Sequence, residues 1–330
     1  MKIKKILGTI IISTMLASAF VGCGNKNAAT AGKDAGAEKK SEEVTIGVVL
    51  KTLNSDYWKL VQAGALDGAK ELGVKIEVIG PNAETDIMGQ TSMMEDQIVK
   101  NVSALVISPS QPSAAITSFD KADEQKIPVL LIDTDAEWDK KKSFIGTGNV
   151  AGGKMAGKYI GEKLEKGSEI VVIRGALGDA THDQRVNGAK EEIEAAGLKL
   201  IEVQPADSDR NKAMTVMENL LQTHPNVKGV FCSNDEMALG AVRALKQANK
   251  ADVVVVGFDG SPDALKAIKA GELTATVAQN AYNMGKTGVE AAVKVVKGEK
   301  IDSRIDTGTS LIDKDSVDKA QEDLNKILGK

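Results

Sequence analysis

GALDGAKELGVKIEVI (residues 64–79) and GAKEEIEAAGLKLIEV (residues 188–203) share a Gly-Ala pair, a second glycine nine residues on and a lysine two after that, at an offset of 124 residues. Each reads as the end of an amphipathic helix, a glycine stop, and a short β-branched strand. Two further matches follow in the same order. MEDQIVKNVSALVIS (94–108) pairs with MENLLQTHPNVKGVFCS (217–233), and VLLID ending at Asp133 pairs with VVVGFD ending at Asp259. Three matches at offsets between 123 and 126 residues imply a duplicated architecture.

Outward from the repeat, apolar strand-like runs alternate with longer amphipathic ones: TIGVVL, KIEVI, ALVIS and PVLLID, then EIVVI, LKLIEV, GVFCS and DVVVVGF. This alternation predicts an α/β protein of two similar, doubly wound, parallel-sheet (Rossmann-like) lobes. The N-terminal lobe is expected over 44–148 and 280–308, and the C-terminal lobe over 149–279 and 309–330. A three-crossing hinge is expected near 147–149, 278–281 and 307–310, with Gly148 and Gly308 able to absorb rotation.

At 330 residues and 42% hydrophobic content, the chain can bury a core for about two domains. The net charge of −4, with both signs well mixed, gives no electrostatic reason to expect nucleic acid. Neither His182 nor His224 has a second histidine or a cysteine pair at ligand spacing, so no metal or cofactor is expected.

The first 22 residues read as a leader: Lys2, Lys4 and Lys5 precede an apolar stretch, Ile6 to Ala19, too short to span a bilayer comfortably. The ending FVGC resembles a bacterial lipobox, which would make Cys23 the lipidated first residue of the mature protein. Residues 23–43 are small, polar and charged, and read as a flexible tether from the outer face of the membrane. Cys232 then has no partner and reads as an inert core thiol.

In open α/β sheets ligands bind beyond the carboxyl ends of the strands. If the lobes face one another, Asp133 and Asp259 line one cleft from opposite walls, and Lys51 to Trp58 stands opposite the loop from Arg174 to Arg185. Collected at these strand ends are Lys51, Ser55, Tyr57, Trp58, Asp133, Arg185, Asn234, Asp259 and Gln279. Amides, carboxylates and a guanidinium suit paired hydrogen bonds to vicinal hydroxyls, and an aromatic face suits the C–H side of a sugar ring. Trp58 is expected to roof the cleft, and Tyr57 to play a similar part with its hydroxyl turned to solvent.

QPADSDR, FCSNDEMALGA, VVVGFDG and ATVAQN, together with the strand-end residues, resemble the motifs of the type I periplasmic sugar-binding proteins of ABC transporters, in the ribose- and allose-binding branch. The resemblance covers Val44 to about Ile312. It implies a monomer that binds a monosaccharide and delivers it to a permease, with Trp58 stacked on the sugar. Asp133, Arg185, Asn234, Asp259 and Gln279 would hydrogen-bond its hydroxyls. Lys51 is similar to the lysine of allose-binding proteins, while Thr134 stands where ribose-binding proteins carry an arginine. Ser208 stands where the branch commonly has an aromatic, so one side of the sugar ring would lack a stacking partner. A signalling receptor for a sugar or an autoinducer-2-like ligand would use the same fold. An enzyme is disfavoured, because no activated nucleophile, metal cluster or histidine base accompanies the cleft residues. A transcriptional repressor is disfavoured by the leader.

Two near-motifs read as structure. GNVAGGKM (148–155) has Met155 where a nucleotide loop needs a hydroxyl, and reads as a hinge leading into a helix. Asp207, Asp209, Asn211 and Glu218 fall at calcium-loop spacing, but Lys212 replaces the glycine of the sharp turn, so Ser208 or Asp209 is expected to cap a helix.

Overall fold

The structure, a computed structural model, describes residues 43–329; the leader, Cys23 and nearly all of the tether lie outside the described residues. The first series of elements is β1 (Thr45–Val49), α1 (Asp56–Leu72), β2 (Lys75–Ile79), α2 (Ile87–Val99), β3 (Ala104–Ile107), α3 (Pro112–Glu124), β4 (Val129–Ile132) and β5 (Phe144–Gly146). The second is α4 (Asn149–Lys163), β6 (Glu169–Arg174), α5 (Ala180–Ala195), β7 (Lys199–Pro205), α6 (Arg210–Thr223), β8 (Gly229–Cys232), α7 (Asp235–Gln247), β9 (Val254–Asp259), α8 (Pro262–Ala270) and β10 (Ala275–Gln279). The chain continues through α9 (Ala281–Val296), β11 (Arg304–Asp306), β12 (Thr309–Asp313) and α10 (Val317–Ile327).

Two six-stranded sheets result, ordered β11-β5-β4-β3-β1-β2 and β12-β10-β9-β8-β6-β7, so that each strand has a counterpart at the same place in the other sheet. Strands β3, β4 and β8 are buried along their whole length, which is why they read as unbroken apolar runs. The chain passes between the sheets three times: from β5 into α4, from β10 into α9, and from β11 into β12. The last passage explains the one departure from parallel pairing, because β12 runs antiparallel to β10. No helix lies between β11 and β12 to turn the chain round. A strand leaving one sheet at its carboxyl edge therefore enters the other sheet from its carboxyl edge. Gly308 in that passage sits at φ 77, in the left-handed region that glycine tolerates, whereas Gly148 has an ordinary φ of −74.

Helix α1 packs on α9 and helix α5 on α4, each pair with its backbones in close approach. A Cβ on Gly64 would fall 1.9 Å from the Tyr282 carbonyl oxygen, and one on Gly285 would fall 1.9 Å from that of Val61. The second pair repeats this, with Gly188 against Val150 and Gly153 against Arg185. The glycines that open the repeat in the sequence are thus what lets each helix pair close over its sheet.

The near-motifs resolve as helix starts. GNVAGGKM opens α4, and Asp209 caps α6 by accepting a hydrogen bond from the Lys212 N–H at 2.8 Å. Cys232 ends β8 fully buried, and burial pushes its thiol well above its usual pKa. No helix among the described residues is long and apolar enough to cross a membrane.

Candidate functional site

The carboxyl ends of both sheets converge on a small cavity lined from both lobes. The first lobe lines it with Lys51, Ser55, Tyr57, Trp58, Glu84 and Asp133; the second lines it with Thr181, His182, Arg185, Asn234 and Asp259. Eight of the eleven residues expected from the sequence are therefore brought together. Thr134, Ser208 and Gln279 stand one layer back. The Thr134 hydroxyl donates to Asp133 at 2.8 Å, the Gln279 amide donates to Asp259 at 2.8 Å, and Ser208 lies 3.1 Å from His182 Nε2.

Asp133 directly follows β4 and Asp259 ends its counterpart β9, and both are non-glycine residues at positive φ, 61 and 125 respectively. Such backbone costs roughly 1–3 kcal/mol at each position and persists where the surroundings over-determine it. The Tyr57 hydroxyl donates to Asp133 at 2.7 Å, and Tyr57 is 6% exposed, which corrects the expectation that this hydroxyl faces solvent. Burial, reinforced by Asp133, holds the Tyr57 phenol well above its usual pKa, so it remains a donor.

Trp58 is both core and lining. It is 2% exposed, packs in the apolar cluster of the first lobe, and donates its indole N–H to Glu84 at 2.7 Å. Burial raises the Glu84 pKa, against the pull of Lys51. Ser55 caps α1 and Asn234 caps α7, so each meets the cavity because a helix starts there. The Asn234 Oδ1 is committed to the Met237 N–H, which leaves its NH₂ as the available donor.

Arg185 is fixed from four directions. Its Nε donates to Asn149 at 2.8 Å and its Nη1 to the Ser233 carbonyl at 3.0 Å, while Asp259 lies at 3.6 Å and the guanidinium sits 4.0 Å from the Phe258 ring centroid. Burial still raises the Asp259 pKa well above the usual range, because Arg185 offsets only part of it and Asp235 pushes the same way.

Lys51 spans the two lobes. Its buried ammonium donates to Asp179 and, at 3.4 Å, to Thr181, with Asp133 of its own lobe 3.6 Å away. Burial alone would lower the Lys51 pKa, but Asp179 and Asp133 outweigh it and hold it above its usual value. Burial opposes ionisation of Asp179 as well, yet Lys51 and His182 keep it far below the usual carboxylate range.

Glu84, Asp179, Thr181 and His182 were not among the residues expected from the sequence. Glu84, Asp179 and His182 offer ligand atoms within 4.8 Å of one another, but the Lys51 ammonium already bonds to Asp179. A buried cation thus already satisfies the carboxylate that a metal ion would need.

Beneath Asp259, the buried Asp235 accepts from the Ser261 N–H and from the Thr276 hydroxyl, each at 2.7 Å, and burial raises its pKa to about 7. A carboxyl with its folded pKa raised stabilises the fold fully below its unfolded pKa, near 4, and loses that contribution as pH rises through 7. Asp235→Asn can accept from the Ser261 N–H and donate its NH₂ to the Thr276 hydroxyl, which turns to accept, and it cannot ionise. Its stability relative to the parent should therefore rise by up to about 1.4 kcal/mol per pH unit between about pH 4 and 7, then level off. Denaturant melts at a series of pH values would show this, and parallel curves would refute it.

A family model for the periplasmic binding protein domain matches residues 46–300. The ribose import binding protein RbsB of Salmonella typhimurium is 39% identical over 268 residues, covering 81% of this chain and 90% of that protein. The D-allose-binding periplasmic protein of Escherichia coli is 37% identical over 264 residues, 77% and 85% of the two chains. Among solved structures, a carbohydrate transporter solute binding protein from Agrobacterium radiobacter in complex with D-arabinose superposes with a TM-score of 0.82 at 33% identity, covering 86% of this chain and 99% of that one. The duplicated sheets, the paired strand-end carboxylates and these likenesses agree: the chain belongs to the periplasmic binding protein family, in its ribose- and allose-binding branch.

Proposed function

We propose that this chain is an extracytoplasmic, lipid-anchored solute-binding protein that captures an allose- or ribose-like monosaccharide between its lobes and delivers it to an ABC-type sugar permease. The observation that carries this reading is the cavity itself, walled from both lobes by carboxylates, a guanidinium, an amide and an indole. In this reading Trp58 covers the C–H face of the sugar, and Asp133, Arg185, Asn234 and Asp259 meet its hydroxyls. Thr134 holds the Asp133 carboxylate in place, and Gln279 holds that of Asp259. Lobes at 44–148 with 280–308 and at 149–279 with 309–330 rotate about the three passages between the sheets. Closure is favoured by contacts that exist only when both walls meet the ligand.

The relatives that match most of this chain are binding proteins of ribose and allose, so the chain is a binding protein and not an enzyme. Their names also support a periplasmic location and a transport role over a receptor role. The anchor is tested by Cys23→Ser. That variant should leave the membrane fraction and appear as soluble protein, because without the thiol no acyl chain can be attached. Retention of the variant in membranes would contradict the anchor.

A further inference from the structure

We propose that His182 is a ligand-contacting residue: the second-lobe counterpart of Trp58, presenting the face of a neutral imidazole to the sugar ring. The proposal deepens the monosaccharide reading above and rests on it.

The duplication carries the argument. At the same offset of 124 residues that relates the two repeats, Ser55 corresponds to Asp179, Trp58 to His182 and Glu84 to Ser208. The structure repeats the contacts as well as the positions. Ser55 caps α1 and Asp179 caps α5. Three residues after each cap a planar nitrogen-bearing ring lines the cavity, Trp58 at 2% exposure and His182 at 3%. Each ring holds a nitrogen against a residue in the loop after the next strand: the Trp58 indole against Glu84 at 2.7 Å, and His182 Nε2 against Ser208 at 3.1 Å.

How His182 is held decides what it can offer. Its Nδ1 lies 2.7 Å from Ser233 Oγ, so both nitrogens are occupied by protein hydroxyls. The imidazole fills the space that a Cβ on Gly175 would take, 2.3 Å from that position, so one side of the ring is covered by backbone. What remains for the cavity is the free side of the ring, which suits C–H groups rather than a hydroxyl. Burial also lowers the imidazole pKa to about 3, so the ring is uncharged at neutral pH.

The test uses the mature full-length chain and the two histidines it contains, with His224 as an internal control. Ribose and allose are titrated while heat and the carbon-bound ring-proton resonances of both histidines are recorded. With whichever sugar binds, the His182 signals should shift and those of His224 should stay. His182→Ala should weaken binding by about tenfold or more, and His182→Phe, which keeps a ring face, should stay within about threefold of the parent. Equal losses in the alanine and phenylalanine variants, or His182 signals unmoved at saturation, would overturn the proposal while leaving sugar binding intact. Binding of neither ribose nor allose would instead overturn the ribose- or allose-like reading on which it rests.

Discussion

Lys51→Met should lower sugar affinity by about 100-fold while leaving the melting temperature of the ligand-free protein near that of the parent. The Lys51 ammonium from one lobe is buried against Asp179 and Thr181 of the other. Removing it leaves the Asp179 carboxylate hydrogen-bonded to Thr181 but buried without a counter-ion, a loss of roughly 3–5 kcal/mol for a buried pair. In an open arrangement water reaches Asp179, so the penalty falls on closure rather than on folding. Each 1.4 kcal/mol is tenfold in affinity, and partial hydration leaves about 100-fold as the expected loss. Asp179→Asn should also weaken binding, and Lys51→Met with Asp179→Leu should recover part of it. If Asp179→Asn binds as the parent does, Lys51 acts on the ligand alone and does not hold the lobes together.

The largest stability effect is expected at Gly285→Ala. The added Cβ would stand 1.9 Å from the Val61 carbonyl oxygen, which belongs to helix backbone and cannot swing away. Helices α1 and α9 must part to admit it, opening the apolar cluster that includes Val61, Ala65, Met284 and Val289. Overpacking of this kind costs typically 1–3 kcal/mol, and the rigidity of both partners puts this substitution at about 3 kcal/mol or more. Gly148→Ser is the contrasting control, because its nearest neighbour would be 3.8 Å away and serine is a favoured helix cap. Chemical denaturation of both variants distinguishes them; equal stability would contradict the close-packed helix pair.

The duplication was legible because glycine, helix and strand recur in one order, and the packing explains why: Gly64 and Gly188 do the same work in two helix pairs. The strand-end carboxylates were legible for the same reason. Strands β5 and β11 were not, since three residues each carry no period, and the reversed β12 depends on a chain passage rather than on its own residues. The direction of the Tyr57 hydroxyl could not be read locally, because its partner Asp133 lies 76 residues away. Glu84, Asp179 and His182 were missed although a signal existed. Carrying the 124-residue offset from Ser55, Trp58 and Ser208 lands on all three.

Capture of one monosaccharide between two lobes can be measured by isothermal titration of the mature protein. With ribose, allose, allulose, galactose and autoinducer-2 as titrants, saturable one-to-one binding of at least one monosaccharide is expected, abolished or severely weakened by Asp133→Ala or Asp259→Ala. No heat from any of the sugars, or sugar binding untouched by loss of either carboxylate, would contradict it.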